Sequence, residues 1–214
     1  MTAALTRMGG GFADPVHGAQ QAFRALLEAM SRPGRVQALP AAALDGLRPA
    51  DAALAPPVGA GLAATLLALL DAETPVLLAG ALADGDAGAW VRFHTGARAA
   101  ADGAPVAWAV ARAADVDAAL LARLALGTDE APQDGATLVV EVDGLDAADG
   151  IGLALRGPGV ASVQRLRVAG LPASFWAWRR ELRHALPRGV DLVLVQGARV
   201  AAVPRSARLE IEGA

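Results

Sequence analysis

The chain has 214 residues, 54% of them hydrophobic, and a formal net charge of −3. It contains no Cys and no Tyr, and all 19 of its basic residues are Arg. These absences exclude disulfides, thiolate metal or iron–sulfur centres, a lysine Schiff base, a phosphate-loop lysine and a tyrosine general acid.

Residues 1–11 read as a flexible lead-in to a single domain covering 1–214. Asp14-Pro15 predicts a helix start, with Asp at the N-cap and Pro at the first helical position. Val16, Ala19, Phe23, Leu26, Leu27 and Met30 recur at three- and four-residue spacing, which predicts an amphipathic helix ending near Ser31-Arg32. Pro33-Gly34 stops it. Residues 39–57 form a Pro- and Ala-rich connection with one short helix near 50–54. The run 61–71 is apolar nearly all round and predicts a buried helix.

Residues 75–79 predict a short strand. The stretch 90–95 alternates and predicts another, with Trp90, Arg92 and His94 on one face and Val91, Phe93 and Thr95 on the other. A strand at 105–111, a helix at 115–124 and a loop at 127–130 follow. The strand 136–142 is rich in Val and Leu. Strands at 150–156 and 164–168 flank the sharp turn Gly157-Pro158-Gly159. A helix over 173–186 places Phe175, Trp178, Leu182 and Leu186 on one stripe, with Arg179, Arg180 and Arg183 elsewhere. Strands at 190–195, 199–203 and 208–211 complete the chain. Helices alternating with apolar strands predict an α/β fold, a mixed sheet with helices on both faces.

Few residues suggest chemistry. His17, His94 and His184 have no helical metal-site spacing. Neither Gly9-Gly10-Gly11 nor Gly150-Ile151-Gly152 has a nucleotide-loop pattern. No Ser lies in a nucleophile elbow. The remaining candidates are Arg92 and His94, read as an anion-holding pair at a strand end, and Arg156, beside a turn able to form a backbone nest. Trp176 and Trp178 point to different sides of their helix, so one is a candidate for a partner surface. The small charge gives no reason to expect nucleic acid or a membrane as partner. No leader-like apolar segment is visible, so a cytoplasmic protein is expected.

Several stretches, in order, resemble the PhnH family, the H subunit of the bacterial carbon–phosphorus lyase system. They are Gly11-Phe12-Ala13-Asp14-Pro15-Val16, Phe23-Arg24, Ala29-Met30-Ser31-Arg32-Pro33-Gly34 and Leu69-Leu70-Asp71-Ala72-Glu73-Thr74-Pro75. Arg92-Phe93-His94-Thr95-Gly96, Gly127-Thr128-Asp129-Glu130, Ala136-Thr137-Leu138-Val139 and Leu155-Arg156-Gly157-Pro158-Gly159-Val160 continue the series. Gly170-Leu171-Pro172, Gly189-Val190-Asp191-Leu192 and Pro204-Arg205 end it. The resemblance implies a three-layer α/β/α fold, similar to the large domain of pyridoxal-phosphate-dependent transferases without the cofactor. It implies a homodimer when isolated, and assembly with the other lyase core subunits, especially the radical iron–sulfur subunit. It places the chain in the formation of ribose 1-phosphonate 5-triphosphate from ATP and phosphonate. It implies no catalytic residue, cofactor or metal on this subunit. The alternative is a phosphonate- or nucleotide-phosphate-binding role for Arg92, His94 and Arg156.

Overall fold

A computed structural model describes residues 10–213. Of the expected lead-in, 1–9 lie outside the described residues, and Gly10 is docked: its N–H donates to the Leu54 carbonyl at 2.7 Å. Helix α1 (Pro15–Ser31) begins as its sequence dictates. The Asp14 carboxylate accepts from the Val16 and His17 amides at 3.1 and 2.9 Å, satisfying N–H groups that the helix cannot. Strand β1 (Gln37–Ala38), short 3-10 turns at Ala41–Ala43 and Ala52–Leu54, and helix α2 (Ala60–Leu69) follow. As its composition predicts, α2 is enclosed: Gly61 through Leu66 are all buried.

The remaining elements are β2 (Val76–Leu78), α3 (Ala87–Thr95), β3 (Trp108–Arg112), α4 (Ala118–Arg123), β4 (Thr137–Glu141), β5 (Gly144–Leu145), β6 (Ile151–Arg156), β7 (Gln164–Ala169), α5 (Ala173–Glu181), β8 (Asp191–Gln196), β9 (Arg199–Val203) and β10 (Arg208–Ile211). A six-stranded mixed sheet has the order β1-β9-β8-β4-β3-β2. Its strands β2, β3, β4 and β8 are parallel, and β9 runs antiparallel to both β8 and β1.

Alternation along these strands divides the interior. Val110, Val139, Val193, Val195, Val200 and Ala202 face one core, closed by Ala22, Leu26 and Ala29 of α1, Leu62 and Leu66 of α2, and Trp90 and Val91 of α3. Ala109, Ala111, Leu138, Val140, Leu192, Leu194, Ala201 and Val203 face the other, closed by Leu120 of α4 and Phe175 and Trp176 of α5. The expected α/β arrangement of a mixed sheet with surrounding helices is present. The second core has an additional cover: a four-stranded antiparallel sheet, β10-β6-β7-β5. Its Leu153, Leu155, Leu166, Val168 and Leu209 point inward, while Arg156, Arg165, Arg167 and Arg208 are exposed. One wetted face and one apolar face give these strands their alternation.

Three expectations need correction. Residues 90–95 are the body of α3, not a strand. Ala87, Trp90 and Val91 are buried at helical spacing, and Gly96, at φ 77°, supplies the left-handed C-cap. The helix expected over 115–124 is split into a 3-10 turn, Ala113–Asp115, and α4, because Asp117 recaps the chain by accepting from the Leu120 amide at 2.8 Å. The helix expected to 186 is α-helical only to Glu181 and closes with a 3-10 turn, Leu182–Ala185.

Candidate functional site

The helical form of 90–95 changes what its polar residues can do together. Arg92 and His94 lie two positions apart on a helix, about 200° around its axis, and so do not share a face. The His94 ring packs 4.8 Å from the Trp90 ring and 5.0 Å from the Phe93 ring, centroid to centroid. Trp90 is 1% exposed, and its Nε1 donates to the Gly10 carbonyl at 3.3 Å. This corner therefore anchors the chain entering α1. Arg92 and His94 also occupy the last turn of α3, where the helix dipole favours cations over anions.

Arg156 lies elsewhere. It ends β6 in the second sheet, across the main sheet from α3. Its Nη1 donates to the Ser162 carbonyl at 3.3 Å, bracing the loop that follows Gly157-Pro158-Gly159. The two Trp of α5 differ as expected: Trp176 is fully buried and Trp178 is partly exposed.

The face that sequence reasoning missed is the outside of α1. The helix buries its small side, Gly18, Ala22, Ala25 and Ala29, together with Leu26. It leaves Val16, Phe23 and Leu27 outside at 69%, 48% and 57% exposure. These three fall within about 40° of one another around the helix axis, so they form one stripe opposite the buried face. The apolar periodicity in the sequence is real, but it comprises two faces, and the larger side chains face outward. Exposing three large apolar side chains on one line is unusual for a surface helix and marks an interaction surface.

Two cavities flank α4. One, of about 500 Å³, opens where β2 and β3 end and includes Ala79, Gly80, Asp115, Asp117 and Arg123. Carboxyl ends of parallel strands are the usual ligand side of such sheets. Here the one guanidinium is already engaged: Arg123 donates to the Ala104 and Ala101 carbonyls at 2.9 and 2.7 Å. The other, about 430 Å³, is apolar and includes Leu121, Phe175 and Trp178.

A buried charged group sits under α5. Arg179 is 1% exposed and donates through Nη2 to the Pro204 carbonyl at 2.6 Å. Among the described residues, its Nε has no hydrogen-bond partner, and neither does the Trp176 Nε1 one turn earlier. Burial pulls the Arg179 guanidinium down to about 10, against a smaller opposing pull from Asp191, while Arg205 adds to the lowering. The arrangement is structural: the group is enclosed and bound to backbone. Among the described residues, no group of three or more His, Asp or Glu is placed to hold a metal ion. No described helix is long and apolar enough to cross a membrane.

A family model described as "Bacterial phosphonate metabolism protein (PhnH)" matches residues 10–210. The chain belongs to the PhnH family. It is 38% identical to the "Alpha-D-ribose 1-methylphosphonate 5-triphosphate synthase subunit PhnH" of Rhizobium meliloti (strain 1021), over 99% of this chain and 100% of the relative. It is also 40% identical to the "Putative C-P lyase subunit protein HtxG" of Stutzerimonas stutzeri, over 47% of this chain and 51% of that relative. The PhnH match begins at Gly10, the residue that the Trp90 indole holds, and so takes in α1, its docked approach and the whole main sheet.

Proposed function

We propose that this chain is a non-catalytic accessory subunit of the carbon–phosphorus lyase core complex in phosphonate catabolism, and that it acts by assembly. The reading places it in the step that forms ribose 1-phosphonate 5-triphosphate from ATP and phosphonate. Membership of the PhnH family supports the pathway, and both relatives are named as subunits. The observation that carries the assembly role is the exposed stripe Val16, Phe23 and Leu27 on α1. Covering a large apolar side chain is worth about 1.5–3 kcal/mol, so three on one line make a useful contact surface. The surface would serve a second copy in the isolated homodimer and another core subunit, the radical iron–sulfur subunit above all, in the complex. The protein works in the cytoplasm as one domain, a cofactor-free counterpart of the large domain of pyridoxal-phosphate-dependent transferases. The lack of any Lys agrees with that counterpart.

The test is co-purification of the tagged chain with the other core subunits. The double variant Phe23→Glu, Leu27→Glu should keep its fold, because both positions are exposed, and should fail to recover them. Its gene should also fail to restore growth of a deletion strain on phosphonate as sole phosphorus source. Full recovery of the subunits by the folded double variant would remove α1 from the assembly role.

A further inference from the structure

Beyond the assembly surface, and independent of it, we infer an oxyanion site between the C-terminal end of α1 and the loop after β6. It binds a single tetrahedral dianion of the phosphate class. A cavity of about 220 Å³ lies there, and Arg32, Arg35, Gly159, Ser162 and Gln164 are among its lining. That volume is below the ~300 Å³ of usual small-molecule sites, so it suits one oxyanion group rather than a whole nucleotide.

Arginines flank this loop on two sides. Arg32 and Arg35 line the cavity itself. Arg156 reaches the same loop from β6 through its bond to the Ser162 carbonyl, and the exposed Arg208 is its cross-strand partner on β10. Glu28 is engaged by Arg32, Nε to Oε1 at 3.0 Å. This end of α1 is the negative end of its dipole, which the Arg32 and Arg35 guanidinia must outweigh; the Glu28 carbonyl there already accepts from the Arg32 amide and the Ser31 hydroxyl. The Arg35 amide donates to the Arg32 carbonyl at 3.0 Å, whereas its exposed guanidinium has no hydrogen-bond or ion-pair partner among the described residues. An unpaired guanidinium on a cavity wall, as at Arg35, presents a fork geometry suited to tetrahedral oxyanions.

The loop is rigid enough to be a site. Gly159 has φ 80°, and a Cβ there would collide with the Ser31 carbonyl and lie 2.8 Å from Pro33 Cδ. The loop is therefore clamped onto α1 rather than waving above it. The Val160 amide is used within the turn, donating to the Gly157 carbonyl at 3.1 Å. The neighbouring Ala161 and Ser162 amides make no described hydrogen bond, so both remain available to an oxyanion.

The experiment titrates the full chain with inorganic phosphate at low ionic strength, following backbone amide resonances and heat. Saturable binding is expected, with shifts centred on 159–164 and 32–35. Arg35→Ala and Arg32→Gln should each weaken it about tenfold. Both side chains are exposed, so thermal midpoints should match the wild type and separate lost binding from lost fold. An ATP arm distinguishes free phosphate from a nucleotide's terminal phosphate. Equal affinities assign the cavity to one phosphate group alone, and tighter ATP binding that Arg35→Ala also weakens assigns it to a nucleotide's terminus. A response matched by sodium chloride at equal ionic strength, or phosphate affinity unchanged in both variants, overturns the site.

Discussion

The Asp191 carboxylate and the Arg205 guanidinium form a close double contact: Nη2 to Oδ2 at 2.5 Å and Nε to both oxygens at 3.1 and 3.2 Å. The Arg205 amide also donates to Oδ1 at 2.6 Å, so one carboxylate fixes both the side chain and the backbone after Pro204. Arg205 then reaches the Pro132 carbonyl through Nη1 and the Gly135 carbonyl through Nη2. The start of β8, the exit of β9 and the loop before β4 are thereby joined through one pair. Removing a single partner leaves the other charge enclosed. Asp191→Ala should cost about 3–5 kcal/mol in urea unfolding, whereas an exposed pair such as Arg180 with Glu181 should cost under about 1 kcal/mol.

Arg179 predicts an alkaline effect with an unusual sign. Its folded pKa, about 10, lies well below the ordinary guanidinium value, so above pH 10 the unfolded chain holds more protons at this group than the folded chain. Stability contributed by this group therefore rises with pH between those values. The window is clear of other side chains, because the sequence has no Lys, Tyr or Cys. Denaturant midpoints should increase from pH 9.5 toward pH 11, on the scale set by that shift, and the rise should vanish in Arg179→Met. A flat wild-type profile would place the guanidinium at its ordinary value.

The N-cap of α1 supplies a smaller test. Asp14→Ala removes the acceptor of two backbone amides and should cost about 1 kcal/mol. In a chain of this size that corresponds to a thermal midpoint lower by about 2–4 °C. Asp14→Asn and Asp14→Ser should recover most of the loss; no recovery would assign Asp14 a role other than capping.

Gly34 and Gly159 should be the least replaceable glycines of this region. Gly34 has φ 76°, and its absent Cβ leaves room for the Leu155 side chain, with Gln164 Cγ 3.2 Å away. Either Gly→Ala change forces an unfavourable backbone conformation and displaces a packed neighbour. Each should cost about 2 kcal/mol or more by these combined effects. Gly103, at φ 73° with nothing near its Cβ position, should lose only about 1 kcal/mol, the backbone term alone.

Much of the fold was legible because local signals and burial agree. Asp14-Pro15 caps a helix, and the continuous Val/Leu runs at 136–142 and 190–195 lie in central strands covered on both faces. Legibility failed where one pattern has two physical readings. Trp90 to Thr95 alternates as a strand would, yet its buried residues, Trp90 and Val91, continue from Ala87 at i, i+3 and i+4, the spacing of one helical face. On α5, Arg179 is enclosed while Leu186 beyond it is 40% exposed, because the Pro204 carbonyl and the charge of Asp191 make a buried place for a cation that hydropathy cannot foresee. The α1 stripe was visible as periodicity, but its direction was not. Small residues let α1 approach α2 and β9 closely, which turns Phe23 and Leu27 away from the core. The candidate residues divided for a similar reason: Arg92 and His94 belong to one face of the main sheet and Arg156 to the other, a separation fixed by topology rather than by spacing.

The second sheet has a consequence for the order of folding. Strands β4 and β8 are hydrogen-bonded neighbours at the centre of the main sheet, yet β5, β6, β7 and α5 all lie between them in the chain. Closing that pair means closing a long loop, whose entropic cost falls if the inserted segment is already compact. The β6–β7 hairpin is local and forms without waiting for distant chain. The edge strand β10, however, comes after β9 and completes the second sheet last. A nascent chain would thus build the hairpin first, zip β8 onto β4 second, and seal the layer with β10. Slowing translation after β7 should leave assembly of the main sheet intact, whereas a hairpin mutation should delay both sheets at once.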